Sequence, residues 1–349
     1  MLTTVIGAYP KPEYLKITDW FNAQGGTDTA NPTKLYTQEV NQMGDKAEEL
    51  FLQAAGEVIE DQINCGIDIV TDGEARRENY IHYHCRHIDG IDFNTLTEKV
   101  ARTGNYKCWL PTIVSKVRAQ DSFLVHDWEE SQKLSSKPVK ITLPGPMTIA
   151  DTIANTFYTS KDKMGFDLAE VINVEIKRLQ KAGCKYIQVD EPLFARKPQD
   201  AIDFGINNLA KCFEDIESKE VEKITHICCG YPDKLDAVDY PKAPLNSYHQ
   251  ISSLLNQSII DTVSLEDAHR YNDLSLLEKF SDTKIIFGLI KIASSNEETI
   301  NEIGSRVNEA IKYIKKEQLI AAPDCGLGHL PRDLAKRKLK IMVDAVKDI

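Results

Sequence analysis

The alternation of strand-like and helix-like stretches constrains this fold more than any other feature of the sequence. Short apolar runs recur along the chain, and stretches with apolar positions at helical spacing separate most of them. The strands are predicted in these stretches: 3–7, 67–72, 139–143, 186–192, 221–228, 262–266, 284–290 and 319–322. Eight such alternations with short links predict an α/β fold, a parallel (β/α)8 TIM barrel.

One connection in this pattern is much longer than the others. The stretch 75–135, after the second strand, is rich in aromatics and histidines, and we expect a hairpin within it. Long connections in compact domains tend to be functional, so we interpret it as a functional insertion. The predicted helices lie at 45–64, 165–182, 200–217, 246–257, 274–280, 297–315 and 331–347. We find no repeat or linker and expect residues 1–349 to form one domain.

The composition excludes several classes of function. The 349 residues include 42 Lys and Arg against 53 Asp and Glu, so we expect no nucleic-acid partner, because phosphate binding needs a basic face. No run approaches ~18 apolar residues, and the N-terminus lacks a signal-peptide pattern. We therefore expect no membrane span and a cytoplasmic location. Eight scattered cysteines in such a chain favour reduced thiols over a disulfide framework.

Residues that can bind a metal follow several of the predicted strands. His226 and Cys228 project to the same side of the fifth strand, because side chains alternate along a strand. Alone, such a pair favours a buried structural His and Cys over a metal site. Glu266 and Cys325 stand at the ends of the sixth and eighth strands, and a barrel gathers its strand ends at one face. Together the four residues predict a zinc site.

The ligand types of this predicted site indicate its chemistry. Two thiolates and a carboxylate around Zn²⁺ would leave a net charge of about −1. Such an electron-rich zinc is poorly suited to acidify water. It is suited to keep a bound substrate thiolate nucleophilic at neutral pH.

A series of short motifs occurs along the chain, in this order: Thr4-Val5-Ile6-Gly7, Asp72-Gly73-Glu74-Ala75, Gly145-Pro146-Met147-Thr148, Gln188-Val189-Asp190-Glu191-Pro192, His226-Ile227-Cys228, Leu265-Glu266 and Pro323-Asp324-Cys325-Gly326-Leu327. In these motifs the sequence resembles the C-terminal catalytic barrel of cobalamin-independent methionine synthase, which transfers a methyl group to homocysteine at zinc. The resemblance implies a short, single-barrel form, because full-length members carry a second, N-terminal barrel.

The resemblance also implies roles for individual residues. The zinc ligands of the family fall on His226, Cys228, Glu266 and Cys325. Its carboxylates for the substrate amine fall on Glu74 and Asp190, and two carboxylates facing one pocket suit an ammonium group. The same two residues could instead be structural acceptors for barrel loops.

Some family residues are replaced in this chain. The family Ser after Ile-Gly, which helps to hold the substrate carboxylate beside Gly7, is Ala8 here. The aromatic that stacks on folate becomes Thr152, and the proton-donating His of the seventh strand becomes Ala293. A folate nitrogen must be protonated as it leaves, whereas a corrinoid cobalt leaves without a proton. These replacements argue against folate as the direct donor and favour a methylcorrinoid protein.

Two further residues could take over lost roles. Lys291 could neutralise a substrate carboxylate or sulfonate, or be a surface lysine. His329 could act as the missing acid, although a surface turn is the simpler interpretation. The catalytic acid is therefore unassigned.

We expect a zinc-dependent transferase that methylates homocysteine to methionine. The first alternative joins another small thiol, such as coenzyme M, to an epoxide. The second is a zinc-stabilised barrel that binds a corrinoid or a partner protein without turnover. The third is a metal-free decarboxylase of the related porphyrin-processing barrels.

Several other histidines and cysteines resemble ligands at first sight. His82, His84, Cys85 and His87 are predicted to belong to a solvated or substrate-lining loop rather than to a second metal site. The remaining cysteines are expected to be packing residues: Cys65, Cys108, Cys184 and Cys212.

Overall fold

The computed structural model describes residues 1–21, 31–101, 106–237 and 240–349. Its strands are β1 Leu2–Thr3, β2 Ile88–Ala101, β3 Tyr106–Ala119, β4 Ile141–Pro144, β5 Ala154–Asn155, β6 Tyr186–Asp190, β7 Glu222–Ile227, β8 Thr262–Leu265, β9 Lys284–Ile290 and β10 Leu319–Pro323. Its α-helices are α1 Asn31–Met43, α2 Lys46–Cys65, α3 Tyr80–Cys85, α4 Leu124–Lys133, α5 Pro146–Thr152, α6 Lys161–Ala182, α7 Leu193–Arg196, α8 Pro198–Asp200, α9 Ile206–Cys212, α10 Ser247–Asn256, α11 Ile300–Ala310 and α12 Arg332–Val346. A π-helical turn spans Ala201–Gly205, and 3₁₀ turns span Leu274–Lys279 and Lys316–Gln318.

A seven-stranded parallel sheet forms the centre of the fold. Its strands lie in the order β1-β10-β9-β8-β7-β6-β4. Single parallel bridges continue it at both edges, from Thr4 to Ile69 and from Val70 to Val139. The predicted α/β architecture with a parallel sheet is confirmed.

The predicted second strand, 67–72, is wrong in extent, because only Ile69 and Val70 make strand-like bridges. Side chains accept hydrogen bonds from backbone amides that a longer strand would use for pairing. Asp68 accepts a hydrogen bond from the Thr3 amide at 3.1 Å, and Gln62 accepts one from the Thr71 amide at 2.9 Å. These two amides therefore have side-chain partners instead of partners in a strand ladder.

The long insertion contains the expected hairpin. β2 and β3 pair antiparallel, and β5 joins β3 to make a separate three-stranded sheet. α3 and α4 lie before and after the hairpin. The prediction missed α1, of which Tyr36, Val40 and Met43 pack against a small apolar cluster.

Local signals explain where the long helices begin and end. α2 ends at Gly66, whose φ of 93° is left-handed, as the sequence predicts. α6 begins where the Ser160 side chain accepts a hydrogen bond from the Lys163 amide, and it ends at Gly183. The single helix predicted at 200–217 is instead a π-helical turn followed by α9, which ends at Cys212.

Apolar packing surrounds the sheet on both faces. The largest cluster of buried side chains lies between the strands and the helices. A smaller cluster lies on the central sheet itself. Four of its residues are in strands and Ile6 follows β1: Ile6, Ile224, Ile286, Ile320 and Ala322. Within the described ranges, no helix combines the length and apolarity needed to cross a bilayer.

Candidate metal centre

His226, Cys228 and Cys325 meet at the carboxyl ends of their strands. One ligand atom from each lies within 4.8 Å of the other two. The Nε2 atom of His226 is 3.3 Å from the Sγ atom of Cys325. The chain order brings β7 and β10 to the same sheet, so residues 99 positions apart become neighbours. An imidazole and two thiols are ligands that zinc prefers in proteins.

Ser264 orients the imidazole of this cluster. It faces His226 in the register between β7 and β8, and its Oγ atom lies 2.8 Å from the His226 Nδ1 atom. This contact leaves the Nε2 atom directed toward the two thiols. A second partner that fixes the imidazole is the usual support for a metal-binding histidine.

The two thiols are coupled through a hydrogen bond. A bond from the Cys325 thiol lowers the pKa of Cys228 well below its usual range, against the effect of burial, and the adjacent His226 lowers it further. The same bond and burial raise the pKa of Cys325. Two thiols that share one hydrogen bond suit a divalent cation as the partner that would replace the proton between them.

The carboxylate of Glu266, the predicted fourth ligand, has partners on both of its oxygens. Among the described residues, the grouping of ligand atoms within 4.8 Å does not include its carboxylate. Its Oε2 atom accepts a hydrogen bond from the Cys229 amide at 2.6 Å, and its Oε1 atom makes an ion pair with Lys242. Cys229 points away from the cluster, as strand alternation predicts, and its thiol is 3.1 Å from the Arg270 guanidinium.

Glu74 and Asp190 are buried near each other. Burial raises the pKa of Asp190 to about 7, and the neighbouring charge of Glu74 contributes to the rise, while His226 opposes it. Glu74 accepts hydrogen bonds from Thr142 at 2.9 Å and from Arg77 at 3.2 Å. Two carboxylates whose charges repel each other suit an ammonium ligand between them.

A fully buried lysine lies behind Asp190. The Nζ atom of Lys140 donates to the Val5 carbonyl at 2.6 Å and to the Gln188 side chain at 2.5 Å. Gln188 in turn donates to Asp190 at 2.7 Å. Desolvation lowers the pKa of Lys140 to about 7. The sequence analysis did not mention Lys140, and it named Gln188 only as part of a motif. A strand pattern could have found both, because residues two apart point the same way: Lys140 with Thr142, and Gln188 with Asp190.

Gly7 and Ala8 lie beside the carboxylates and the metal-ligand loop. A Cβ atom at Gly7 would lie 2.6 Å from the Glu74 Oε1 atom, so any larger residue here would displace the Glu74 carboxylate. The Ala8 carbonyl accepts a hydrogen bond from the Leu327 amide at 2.7 Å. The two predicted substrate-binding positions therefore adjoin Glu74 and the Cys325 loop.

Three other candidate residues lie outside the grouping of metal ligands. Lys291 is exposed and borders a separate polar cavity of about 180 Å³. Ala293 is buried, and its carbonyl accepts from the Asp236 amide. The Nε2 atom of His329 is 3.0 Å from the Pro232 carbonyl oxygen, and its ring contacts Phe21. His329 lies in a turn, as predicted, and its half-buried ring contacts Phe21 and Tyr231.

Aromatic side chains that the sequence analysis missed stand beside the cluster. Burial and the negative charges of Asp190 and Cys228 raise the pKa of Tyr80, which indicates that its phenol faces the site. Tyr231 donates a hydrogen bond to the Gly326 carbonyl at 2.8 Å. Trp20 lies 5.0 Å from Tyr80 and 6.2 Å from Tyr231, measured between ring centroids. Nothing in the sequence around Trp20, Tyr80 and Tyr231 distinguishes these three residues from ordinary core aromatics.

The histidines of the insertion are packed inside the protein. His82, His84 and Cys85 are buried on α3, so the solvated loop predicted for them is wrong. They form no metal-ligand group among the described residues. His87 stacks on Phe123. Cys65, Cys184 and Cys212 are buried free thiols, as expected, while the side chain of Cys108 lies outside the described residues.

Comparison with known sequences gives a match along the whole chain. The family model described as the catalytic domain of cobalamin-independent synthase matches residues 1–348. A methionine synthase of Saccharolobus solfataricus is 29% identical over 99% of this chain and 93% of its own length. A methionine synthase of Sulfolobus acidocaldarius is 30% identical over 98% of this chain and 90% of its own length.

A solved structure is similar over the same extent. It is a B12-independent methionine synthase from Shewanella sp. W3-18-1 in complex with selenomethionine. It superimposes with a TM-score of 0.84 at 28% identity, covering 99% of this chain and 96% of the other.

Proposed function

Because this chain belongs to the cobalamin-independent methionine synthase family, we propose that it transfers a methyl group to the thiol of homocysteine and so forms methionine. The observation that carries this proposal is the buried grouping of His226, Cys228 and Cys325. A thiol-rich grouping of this kind suits thiol alkylation better than hydrolysis. Relatives named methionine synthases favour homocysteine over a coenzyme M-like thiol.

His226, Cys228 and Cys325 would hold the zinc ion. When bound, zinc supplies the positive charge that lowers the pKa of a substrate thiol and keeps the thiolate reactive. Ser264 holds the imidazole with its Nε2 atom toward the thiols. Glu266 remains a predicted fourth ligand.

Glu74 and Asp190 would bind the ammonium group of homocysteine. Thr142, Arg77 and Gln188 hold the two carboxylates in place. The complex of the Shewanella relative with selenomethionine supports an amino-acid site in this fold. Tyr80 and Tyr231 would shield the thiol from water on the side of the aromatic cluster.

In the transfer itself, the thiolate sulfur forms a bond to the methyl carbon. The bond between that carbon and its donor breaks, and its electron pair stays with the donor. We propose that the donor is a methylcorrinoid protein rather than folate. The small Thr152 side chain, which donates to the Thr148 carbonyl, offers no stacking surface, and Ala293 has no proton to give.

We also propose that the sheet closes into one eight-membered barrel that forms a single domain. The bridges from Thr4 to Ile69 and from Val70 to Val139 support this closure, since they link β1 to β4 through residues 69–70.

Zinc X-ray absorption on the purified protein, with and without homocysteine, tests the proposal. We expect one zinc per chain, with two sulfur neighbours that become three when homocysteine is added.

A parallel assay would follow methionine formation from methylcorrinoid and from methylfolate, and only the corrinoid should react. A protein without zinc, or a zinc shell that ignores homocysteine, would contradict the proposed activity.

A further inference from the structure

We propose that Arg196 binds the carboxylate of the amino-acid substrate, in a site whose two acidic groups, Glu74 and Asp190, bind its ammonium group. This inference rests on the proposed function, since it presupposes an amino acid beside the metal cluster. It assigns a binding role to a residue that neither the sequence motifs nor the metal grouping includes.

Arg196 stands at the same strand ends as the metal cluster. It is the last residue of α7, the short helix that follows Asp190 and Glu191 at the carboxyl end of β6. The Glu191 amide donates to the His226 carbonyl at 2.8 Å, and the Phe194 amide donates to the Glu191 carbonyl at 3.0 Å. α7 also contacts β7, the strand that carries His226. The helix is therefore fixed against the metal-binding strand.

The positive charge of Arg196 acts on two groups that line the metal site. Burial raises the pKa of the Tyr80 phenol, and the charge of Arg196 opposes this rise. A hydrogen bond from Cys325 lowers the pKa of Cys228, and the charge of Arg196 adds to the lowering. Asp190 acts on the Tyr80 phenol with the opposite sign. An acidic group that suits an ammonium and a cation that suits a carboxylate thus lie on the same side of the cluster.

The Arg196 side chain is available for a ligand. It is exposed, and within the described ranges it makes no hydrogen bond or ion pair. A guanidinium carries its N–H donors in a planar fork that matches the two oxygens of a carboxylate. A bound carboxylate would give this cation the partner that the described part of the chain does not supply.

Other cations close to the cluster already have partners in the protein. Arg77 donates to Glu74 at 3.2 Å, and Lys242 makes an ion pair with Glu266. Lys140 is fully buried, and its Nζ atom donates to a backbone carbonyl and to a side-chain amide. These three cations are therefore less suited than Arg196 to bind an incoming anion.

A carboxylate at this place needs a cation. An amino acid brings its carboxylate close to Glu74 and Asp190 together with its ammonium group, and like charges repel one another. Gly7 and Ala8, which adjoin Glu74, have no polar side chain that could hold the carboxylate. Arg196 supplies the positive charge that offsets this repulsion.

A thermodynamic cycle between protein and ligand tests this inference. Titration calorimetry would measure the dissociation constants of methionine and of methylthiopropylamine, which is methionine without its carboxylate, for the wild type and for Arg196→Met. We expect the wild type to bind methionine about 10- to 100-fold more tightly than the amine, because the amine cannot form the charged bidentate pair. In Arg196→Met the two affinities should lie within about threefold of each other.

Two further variants act as controls. Arg196→Lys keeps the positive charge without the planar fork, so it should retain part of the preference for methionine. Lys185→Met removes an exposed cation next to the opposite end of β6 and should leave the preference unchanged. If Arg196→Met is not recovered folded, Arg196→Gln replaces it in the cycle.

An unchanged preference for methionine in Arg196→Met would overturn the role of Arg196 and leave the proposed activity intact. Loss of the preference in Lys185→Met as well would also overturn it, because the effect would then come from the overall charge of the protein. A wild type that binds neither ligand would overturn the proposed function together with this inference.

Discussion

Ser264 illustrates how one hydroxyl on a neighbouring strand prepares a metal ligand. It contacts the Nδ1 atom of His226, whose other nitrogen faces the thiols. Its register partner is His226 itself, so the contact depends on the pairing of β7 with β8. The alanine variant would free the ring to rotate without changing any ligand atom.

We expect Ser264→Ala to weaken zinc binding by about 10- to 100-fold, because the imidazole loses the partner that orients it. Chelator competition measures the change. Ser252→Ala, which removes a buried hydroxyl from α10, is the matched control and should leave zinc affinity unchanged. An unaltered affinity in Ser264→Ala would mean that the ring is held by packing alone.

The raised pKa of Asp190 gives a second prediction at the scale of one residue. An ammonium group binds the carboxylate and not the carboxylic acid, and burial raises the pKa of Asp190 to about 7. Affinity for an amino acid should therefore rise as the pH passes upward through about 7. Below that pH it should fall by about tenfold per pH unit, because binding must then release a proton.

Titration calorimetry with methionine measures this dependence between pH 6 and pH 8, about one pH unit either side of the Asp190 pKa. Methionine is used because it has no thiol that could titrate. Asp190→Asn should bind weakly and with little pH dependence. A flat profile in the wild type would show that Asp190 does not bind the amine.

At the scale of elements, β9 and the loop after β10 approach each other unusually closely. The Asp324 carboxylate accepts hydrogen bonds from the Asp267, Ala268 and His269 amides. A Cβ atom at Gly288 would lie 2.1 Å from the Asp324 Oδ1 atom. Because Gly288 has no side chain, the Asp324 carboxylate can come close to β9 and bind the three amides that follow Glu266.

Gly288→Ala should lower the free energy of unfolding by about 1–3 kcal/mol or more, because a methyl group is forced into occupied space. Gly56→Ala is the control, since its Cβ atom would lie 3.7 Å from Leu134 within α2. That variant should gain about 0.5–1 kcal/mol from the higher helix propensity of alanine. Urea titration measures both, and equal stability of Gly288→Ala and the wild type would contradict the packing argument.

At the scale of the whole molecule, the metal cluster joins distant parts of the chain. Its ligands come from β7, from the residue just after that strand and from the loop after β10, and Lys242 and Glu266 lie between them in the sequence. A ligand that binds only the folded arrangement stabilises the entire fold by mass action.

We expect zinc to raise the midpoint of thermal unfolding and a chelator to lower it. At a free zinc concentration about 1,000 times the dissociation constant, the gain is about 4 kcal/mol. A Cys228→Ser, Cys325→Ser double variant should show no zinc-dependent shift in scanning calorimetry. The same shift in that variant would mean that zinc binds elsewhere.

Much of this arrangement follows from the sequence. The period of two along a strand places His226 and Cys228 together and Cys229 apart, and the structure confirms it. The alternation of strands and helices also determines that Cys325 stands at the same end of the sheet. These features depend on local patterns, which a single sequence contains.

Only the tertiary structure decided what surrounds these residues. The ion pair between Lys242 and Glu266, the packing of Trp20 against Tyr80 and the shortening of the second strand all depend on side chains from separate elements. Such contacts form because loops and strands close in three dimensions, and no periodicity along the chain records that closure. The sequence determined which chemical groups reach the strand ends, and the packing of the loops determined which partners they have there.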